Sequence, residues 1–169
     1  MKKIIPFLLC ALVVLASCQK KNTSLFRGDY SFKTSGNITA KRANVSDPAE
    51  FNIKLSNEIG QLQIASLDKR TDSLVVVMNY LNGDVVVTHA HCQGQNITFK
   101  EFKHNFMRVS IDGNIDMLCE VNIKAEGTMY DENTLVLDMT YEGVAGVGSL
   151  KYDLYGDNVK MVATRNSKP

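Results

Sequence analysis

There is no tryptophan in the 169 residues, and there are only three prolines, Pro6, Pro48 and Pro169. So little proline leaves long stretches able to donate every backbone N–H, and it excludes a proline-rich linker or stalk. A surplus of charge is missing too, with 19 Lys and Arg against 18 Asp and Glu, all interspersed. That balance lacks the basic footprint of a nucleic-acid binder, so no nucleic-acid partner is expected. The longest apolar run, Ile4 to Val14, is about half of the roughly 20 residues that a membrane-spanning helix needs. No amphipathic helical period, heptad or repeat of propeller or solenoid length is present.

What is there begins with an address. Lys2-Lys3, the apolar run and Leu15-Ala16-Ser17-Cys18 read as a lipoprotein signal peptide over residues 1–17 ending in a lipobox, with Cys18 as the lipidated first residue of the mature chain. Gln19 rather than Asp after that cysteine points to the outer membrane. Lysines rather than acidic residues beyond it point to the periplasmic face, with display on the cell surface as the alternative. Residues 18–26 then form a polar tether and 27–169 a single domain, long enough to bury a core without staples. Loss of Lys2 and Lys3 leaves 17 basic against 18 acidic residues. Cys10 leaves with the signal and Cys18 carries the lipid, so Cys92 and Cys119 remain. In an oxidising compartment they can pair as a disulfide, or sit as two buried thiols in strands.

Period-two alternation dominates the domain. Tyr30, Phe32 and Thr34, then Ile38 and Ala40, make two strands or one kinked strand; Phe51, Ile53 and Leu55 make another, preceded by Asp47-Pro48, which could instead start a helical turn. Leu62 and Ile64 alternate before a polar loop at 68–72. Ser73–Leu81 and Val85–Thr88 flank Asn82-Gly83, the strongest hairpin signal, expected as a two-residue turn. Further strands are expected at Ile97–Phe99 with Phe102, Phe106–Ile111, Ile115–Ile123, Thr134–Tyr141, Ser149–Tyr155 and Val159–Thr164. Gly127, Gly143–Gly148 and Gly156 read as turns. Nine or ten short strands predict an all-β antiparallel up-and-down barrel, with a sandwich as alternative, and closure would remove aggregation-prone edges.

The Leu15-Ala16-Ser17-Cys18 lipobox, the opening Gly28-Asp29-Tyr30-Ser31-Phe32, and the run Gly127-Thr128-Met129-Tyr130-Asp131 leading to Leu135–Tyr141 carry a resemblance. The chain resembles small Bacteroidota-type periplasmic lipoproteins with lipocalin-like or calycin-like barrels. With no tryptophan there is no Gly-x-Trp signature, and the resemblance covers the strand pattern and architecture. It implies a barrel that holds an apolar ligand.

For that ligand the aromatic and sulfur side chains Tyr80, Phe99, Phe102, Met117, Met139 and Tyr141 are the candidate lining, with Met78, Phe106, Met107 and Met129 beside them; the same residue types also fill ordinary cores. His89 and His91, two apart on a strand, share a face on which a metal, zinc by preference, could sit, although paired histidines on a wet face explain them as well. Asp72-Ser73-Leu74 matches a bacterial O-glycosylation sequon with Ser73 as acceptor. Arg27-Gly28-Asp29 spells an adhesion tripeptide but also suits a bend into a strand. The glycines at 143–148 precede a strand, not the helix a nucleotide loop requires. No nucleophile elbow or catalytic grouping is present, so neither an enzyme nor a cofactor is expected. Two functions remain: a membrane-anchored barrel binding a small apolar or amphipathic ligand, or an interaction subunit that docks an envelope protein through its sheet surface.

Overall fold

Alternation of apolar and polar side chains is carried into long strands that curl on themselves. The computed structural model describes residues 23–46, 48–67, 72–111, 115–146, 148 and 150–166. Cys18 and the signal segment lie outside them. In chain order come a helical turn α1 (Thr23–Phe26), then β1 (Gly28–Arg42), β2 (Glu50–Ser66), β3 (Ser73–Tyr80), β4 (Val85–Gln93), β5 (Asn96–Phe99), β6 (Phe102–Ile111), β7 (Ile115–Met129), β8 (Thr134–Ala145) and β9 (Tyr152–Arg165). The described chain is all-β, antiparallel throughout and up-and-down. β5 and β6 are one strand broken at Lys100-Glu101. Counted so, the sheet has eight strands and is closed by the β5–β7 ladder, in which Ile97 faces Gly127. The sandwich alternative is thereby excluded.

Inward positions are apolar in nearly every strand, as on β4, where Val86, Thr88, Ala90 and Cys92 are buried between exposed neighbours. The described inward side chains form one continuous cluster. Strands are longer and fewer than the alternation alone suggested. The stretch 30–40 is one strand, and so are 50–66 and 152–165, because bulges rather than turns interrupt their ladders. Gly127 is not a turn. It lies inside β7, where a Cβ would stand 1.9 Å from the Val136 carbonyl oxygen, so glycine is what lets β8 approach. Gly143 and Gly156 are likewise inside β8 and β9.

The Asn82-Gly83 hairpin exists, but its loop holds three residues. Tyr80 N donates to Asp84 O at 2.9 Å, and of the two turn residues only Gly83 has positive φ, 95°. Asn82 Oδ1 accepts from Asp84 N at 3.0 Å instead of entering the left-handed region itself.

One end of the barrel is plugged. Thr23 and Phe26, assigned to the tether by sequence, are buried, and Phe26 stands under the first strand. Tyr30 OH donates to Phe26 O at 2.8 Å. Arg165, the last residue of β9, donates through Nη2 to Leu25 O at 2.6 Å and Tyr30 OH at 2.7 Å, and through Nη1 to Glu132 O at 2.8 Å. Its guanidinium also lies 5.2 Å from the centre of the Tyr30 ring. The planar fork of arginine thus ties the helical turn, the first strand, the β7–β8 turn and the last strand together.

The wall is incomplete at the other end. β3 pairs with β2 only from Gly60 to Ser66, so among the described residues Glu50–Glu58 have no β3 partner. Above the tip of the short β3–β4 hairpin, β2 and β6 come into contact.

Candidate functional site

Three bulges lie at the level of that notch. On β2, Thr34 faces Glu58 while Gly36 faces Leu55, so three steps on β2 match two on β1. On β6, His104 faces Val121 and Met107 faces Cys119; on β9, Val159 and Gly156 face Met139 and Tyr141. A bulge of this kind reverses which side chains point inward. Ile53 and Leu55 are the buried residues before the β2 bulge, Gly60, Leu62 and Ile64 those after it. Glu58 therefore belongs to the inward set.

Around Glu58 the fold assembles a polar cluster from five elements. Glu58 Oε2 accepts from Tyr141 OH on β8 at 3.2 Å. Its Oε1 stands 3.7 Å from Nδ1 of His104 on β6. His104 Nε2 lies 3.3 Å from Oδ2 of Asp84 in the hairpin turn, and facing a carboxylate it is the nitrogen that carries the proton. The His104 ring stacks on Tyr80 of β3, centroids 4.4 Å apart and planes 17° from parallel, and Phe32 of β1 meets Tyr80 edge-on at 5.2 Å. Gly60 leaves the space for Phe32, since a Cβ there would come within 2.8 Å of its ring.

Burial sets the protonation. The side chains of His104, Glu58 and Asp84 are 1%, 14% and 17% exposed. Desolvation pushes the Glu58 carboxyl up to about 7, against the lowering effect of the Tyr141 hydrogen bond. The His104 imidazole is lowered by the same burial, which outweighs Asp84 beside it. Tyr80 and Tyr141 are both raised, first by burial and then by the Glu58 charge. Near neutrality His104 is uncharged, and its 3.7 Å approach to Glu58 is a gap beyond hydrogen-bond distance rather than an ion pair.

That gap is matched by unsatisfied chemistry. Among the described residues, Thr34 Oγ1, Glu58 Oε1, Tyr80 Oη and His104 Nδ1 are buried without a hydrogen-bond partner, and all four belong to this one level of the barrel. The remaining orphan, Arg165 Nε, is at the plugged end. Buried polar atoms are costly to leave unpaired, by about 1–3 kcal/mol each, so four of them at one level of the barrel single this place out from the rest of the interior.

Of the candidate lining residues, Tyr80, Phe99, Phe102, Met117, Met139 and Tyr141 are all buried and inward. Tyr80 and Tyr141 join the polar cluster. Phe99 and Met139 also border a groove of about 560 Å³ that Glu101, Lys124, Glu126 and Asp138 line with them. The side chains of Phe106 and Met107 lie outside those described. The sequence alone did not bring Glu58, Asp84 and His104 together as members of one site.

The other candidates are dispersed. His89 and His91 share the outer face of β4, with His91 Nδ1 3.5 Å from Asp72 Oδ2. Among the described residues no three His, Cys, Asp or Glu side chains gather as a metal site would require. Ser73 opens β3, half-buried, and donates to Asp72 Oδ1 at 3.1 Å. Cys92 and Cys119 are buried thiols that do not form the disulfide. Cys92 faces Ile97, which faces Gly127, eight residues along β7 from Cys119. At about 3.3 Å per residue that is about 26 Å of strand, far beyond the roughly 7 Å between Cα atoms that a disulfide spans. Burial, and then Asp72, raises the Cys92 thiol.

No family model and no curated protein matches this chain. Among solved structures it is similar to a redesigned β-barrel, at TM-score 0.40 and 11% identity over 87% of this chain and 96% of that one. It is also similar to EF1p2_mFAP2b bound to DFHBI, at TM-score 0.41 and 13% identity over 86% and 98%. The barrel assignment itself rests on the strand ladders.

Proposed function

We propose that this chain is a lipid-anchored protein of the bacterial envelope whose barrel binds a small apolar or amphipathic ligand, with Cys18 as the anchor and the periplasmic face of the outer membrane as its place. The observation that carries the binding reading is the convergence of four orphaned polar atoms inside an apolar barrel, beside a notch in its wall. Around them lie Phe32, Tyr80, Phe102 and Tyr141, which offer apolar surface to a tail while the orphans take a head group. The grouping has no nucleophile poised beside a base, so it is read as a binding site rather than a catalytic one. Native mass spectrometry of protein isolated from its own cell envelope tests this. Recovery of a stoichiometric small molecule is expected, and a clean ligand-free mass overturns the reading.

One observation favours the second function, docking to an envelope protein. Leu81, Val85 and Val87 on the β3–β4 hairpin are 73%, 60% and 61% exposed. Crosslinking in intact cells distinguishes the two, because a docking subunit yields one stoichiometric partner that Val85→Lys abolishes.

A further inference from the structure

Head groups can be sorted by what the orphaned atoms need. Glu58 Oε1 when ionised and the bare Nδ1 of neutral His104 can only accept hydrogen bonds, and Tyr80 Oη can accept as well. Oε1 and Nδ1 are 3.7 Å apart. A single atom set about 2.9 Å from each can bridge them, provided that it donates in both directions. A carboxylate or phosphate brings only acceptors and would be repelled by Glu58 and Asp84. An alcohol brings one donor; a primary ammonium brings three from one nitrogen. The charges agree with this count, since among the described residues no Lys or Arg lies within ion-pair distance of Glu58 or Asp84. Among the described residues Glu58 and Asp84 thus bring two carboxylates to His104 with no basic side chain paired to either, a charge balance that favours a cationic ligand over an anionic one.

We propose that the Glu58–His104–Tyr80 cluster seats the protonated primary amine of an amphipathic ligand, with the ammonium bridging Glu58 Oε1 and His104 Nδ1 and reaching Tyr80 Oη. This rests on the reading of the barrel as a ligand carrier. Asp84 holds His104 by Nε2, which leaves Nδ1 bare, and Tyr141 holds the other oxygen of Glu58, which leaves Oε1 to face the ligand. Thr34, opposite Glu58 in the ladder, closes the seat from β1.

The seat has a pH dependence. Glu58 is faced by Tyr141 from β8, Tyr80 from β3, Asp84 from the hairpin turn and His104 from β6, and its carboxyl titrates at about 7. An alkylammonium stays charged to about pH 10. Amine affinity should therefore fall as the pH drops through 7 and Glu58 takes up a proton, while alcohol affinity stays level.

The test is calorimetric titration of the full chain at pH 8 with octylamine, octanol and octanoate, which share a tail. Octylamine should bind at least about tenfold more tightly than octanol, with octanoate weakest. Glu58→Gln keeps the shape and the Tyr141 contact, and should bring octylamine to the level of octanol. Tyr80→Phe, which removes only an orphaned hydroxyl, should weaken octylamine by about threefold and leave octanol unchanged. Octanol or octanoate binding as tightly as octylamine, or an amine preference that survives both substitutions, overturns the ammonium seat and leaves the carrier reading standing. Binding of none of the three overturns both.

Discussion

Glu58→Gln should stabilise the protein, by an amount that grows with pH. In the unfolded chain this carboxyl titrates near its ordinary 4.5, and in the barrel at about 7. Between those values the folded state keeps a proton that the unfolded state has released, so stability falls as the pH rises through the window. Below 4.5 the side chain is neutral in both states and nothing is lost; above 7 the loss is complete. At 1.36 kcal/mol per pKa unit the full span is about 3 kcal/mol. Glutamine never ionises, keeps an oxygen for the Tyr141 hydroxyl, and matches the protonated acid in shape. Urea denaturation of both proteins should therefore give equal stabilities at pH 4. The gap should open from about pH 5 and level off near 3 kcal/mol in favour of glutamine by pH 8. His104 titrates in both proteins, so to first order it cancels in the comparison. A gap independent of pH would refute the burial of an ionisable Glu58, and a gap favouring the parent at pH 8 would mean that a cation already compensates the carboxylate.

Arg165→Lys retains the charge but loses the fork that reaches Leu25, Tyr30 and Glu132. It should cost about 2–3 kcal/mol in urea and speed amide exchange in α1 far more than in β3. Gly127→Ala drives a methyl into the Val136 carbonyl and should cost at least about 2 kcal/mol, read as a lower denaturation midpoint; an unchanged midpoint would show that β7 and β8 are further apart than described. Cys92 and Cys119 should resist thiol reagents until the protein is unfolded, and mild oxidation of the native protein should produce no intramolecular crosslink on non-reducing gels. The acid side of the stability profile should bear the mark of His104. Its folded-state titration lies below that of the unfolded chain, so stability is lost as the pH falls below about 6.5, and His104→Gln should flatten that limb.

The barrel was legible because alternation is a local property of a strand in a wall with one dry face. Tyr30, Phe32 and Ile38 announce their orientation without reference to anything distant, and so do the six aromatic and methionine candidates, every one of which is inward. The polar cluster is a different kind of object. Its members come from β2, β3, the hairpin turn, β6 and β8, and only the register brings them together. One signal was nevertheless present in the chain. The inward phase is odd through Ile53 and Leu55 and even through Leu62 and Ile64, and such a change requires a bulge between them. Placing the bulge before Glu58 puts an acid in phase with the core. Glycines misled for a related reason, since a glycine in a turn and one beneath a crossing backbone look alike until the neighbouring strand is known. Cys92 and Cys119 were left open between pairing and burial because the distance between them is a matter of register, which composition does not encode.

The first and last strands are neighbours, and Arg165 reaches back 135 residues to Tyr30. The β1–β9 seam therefore cannot form until the last described strand has been made. At a synthesis rate of about 5–20 residues per second, β1 waits roughly seven to twenty-seven seconds for the strand that completes it. Until then neither the plug nor the seam exists, and the partial sheet has two bare edges where the finished molecule is joined. The order of the strands along the chain is enough to postpone the closing of the barrel until then. The barrel is whole only once the last strand is free.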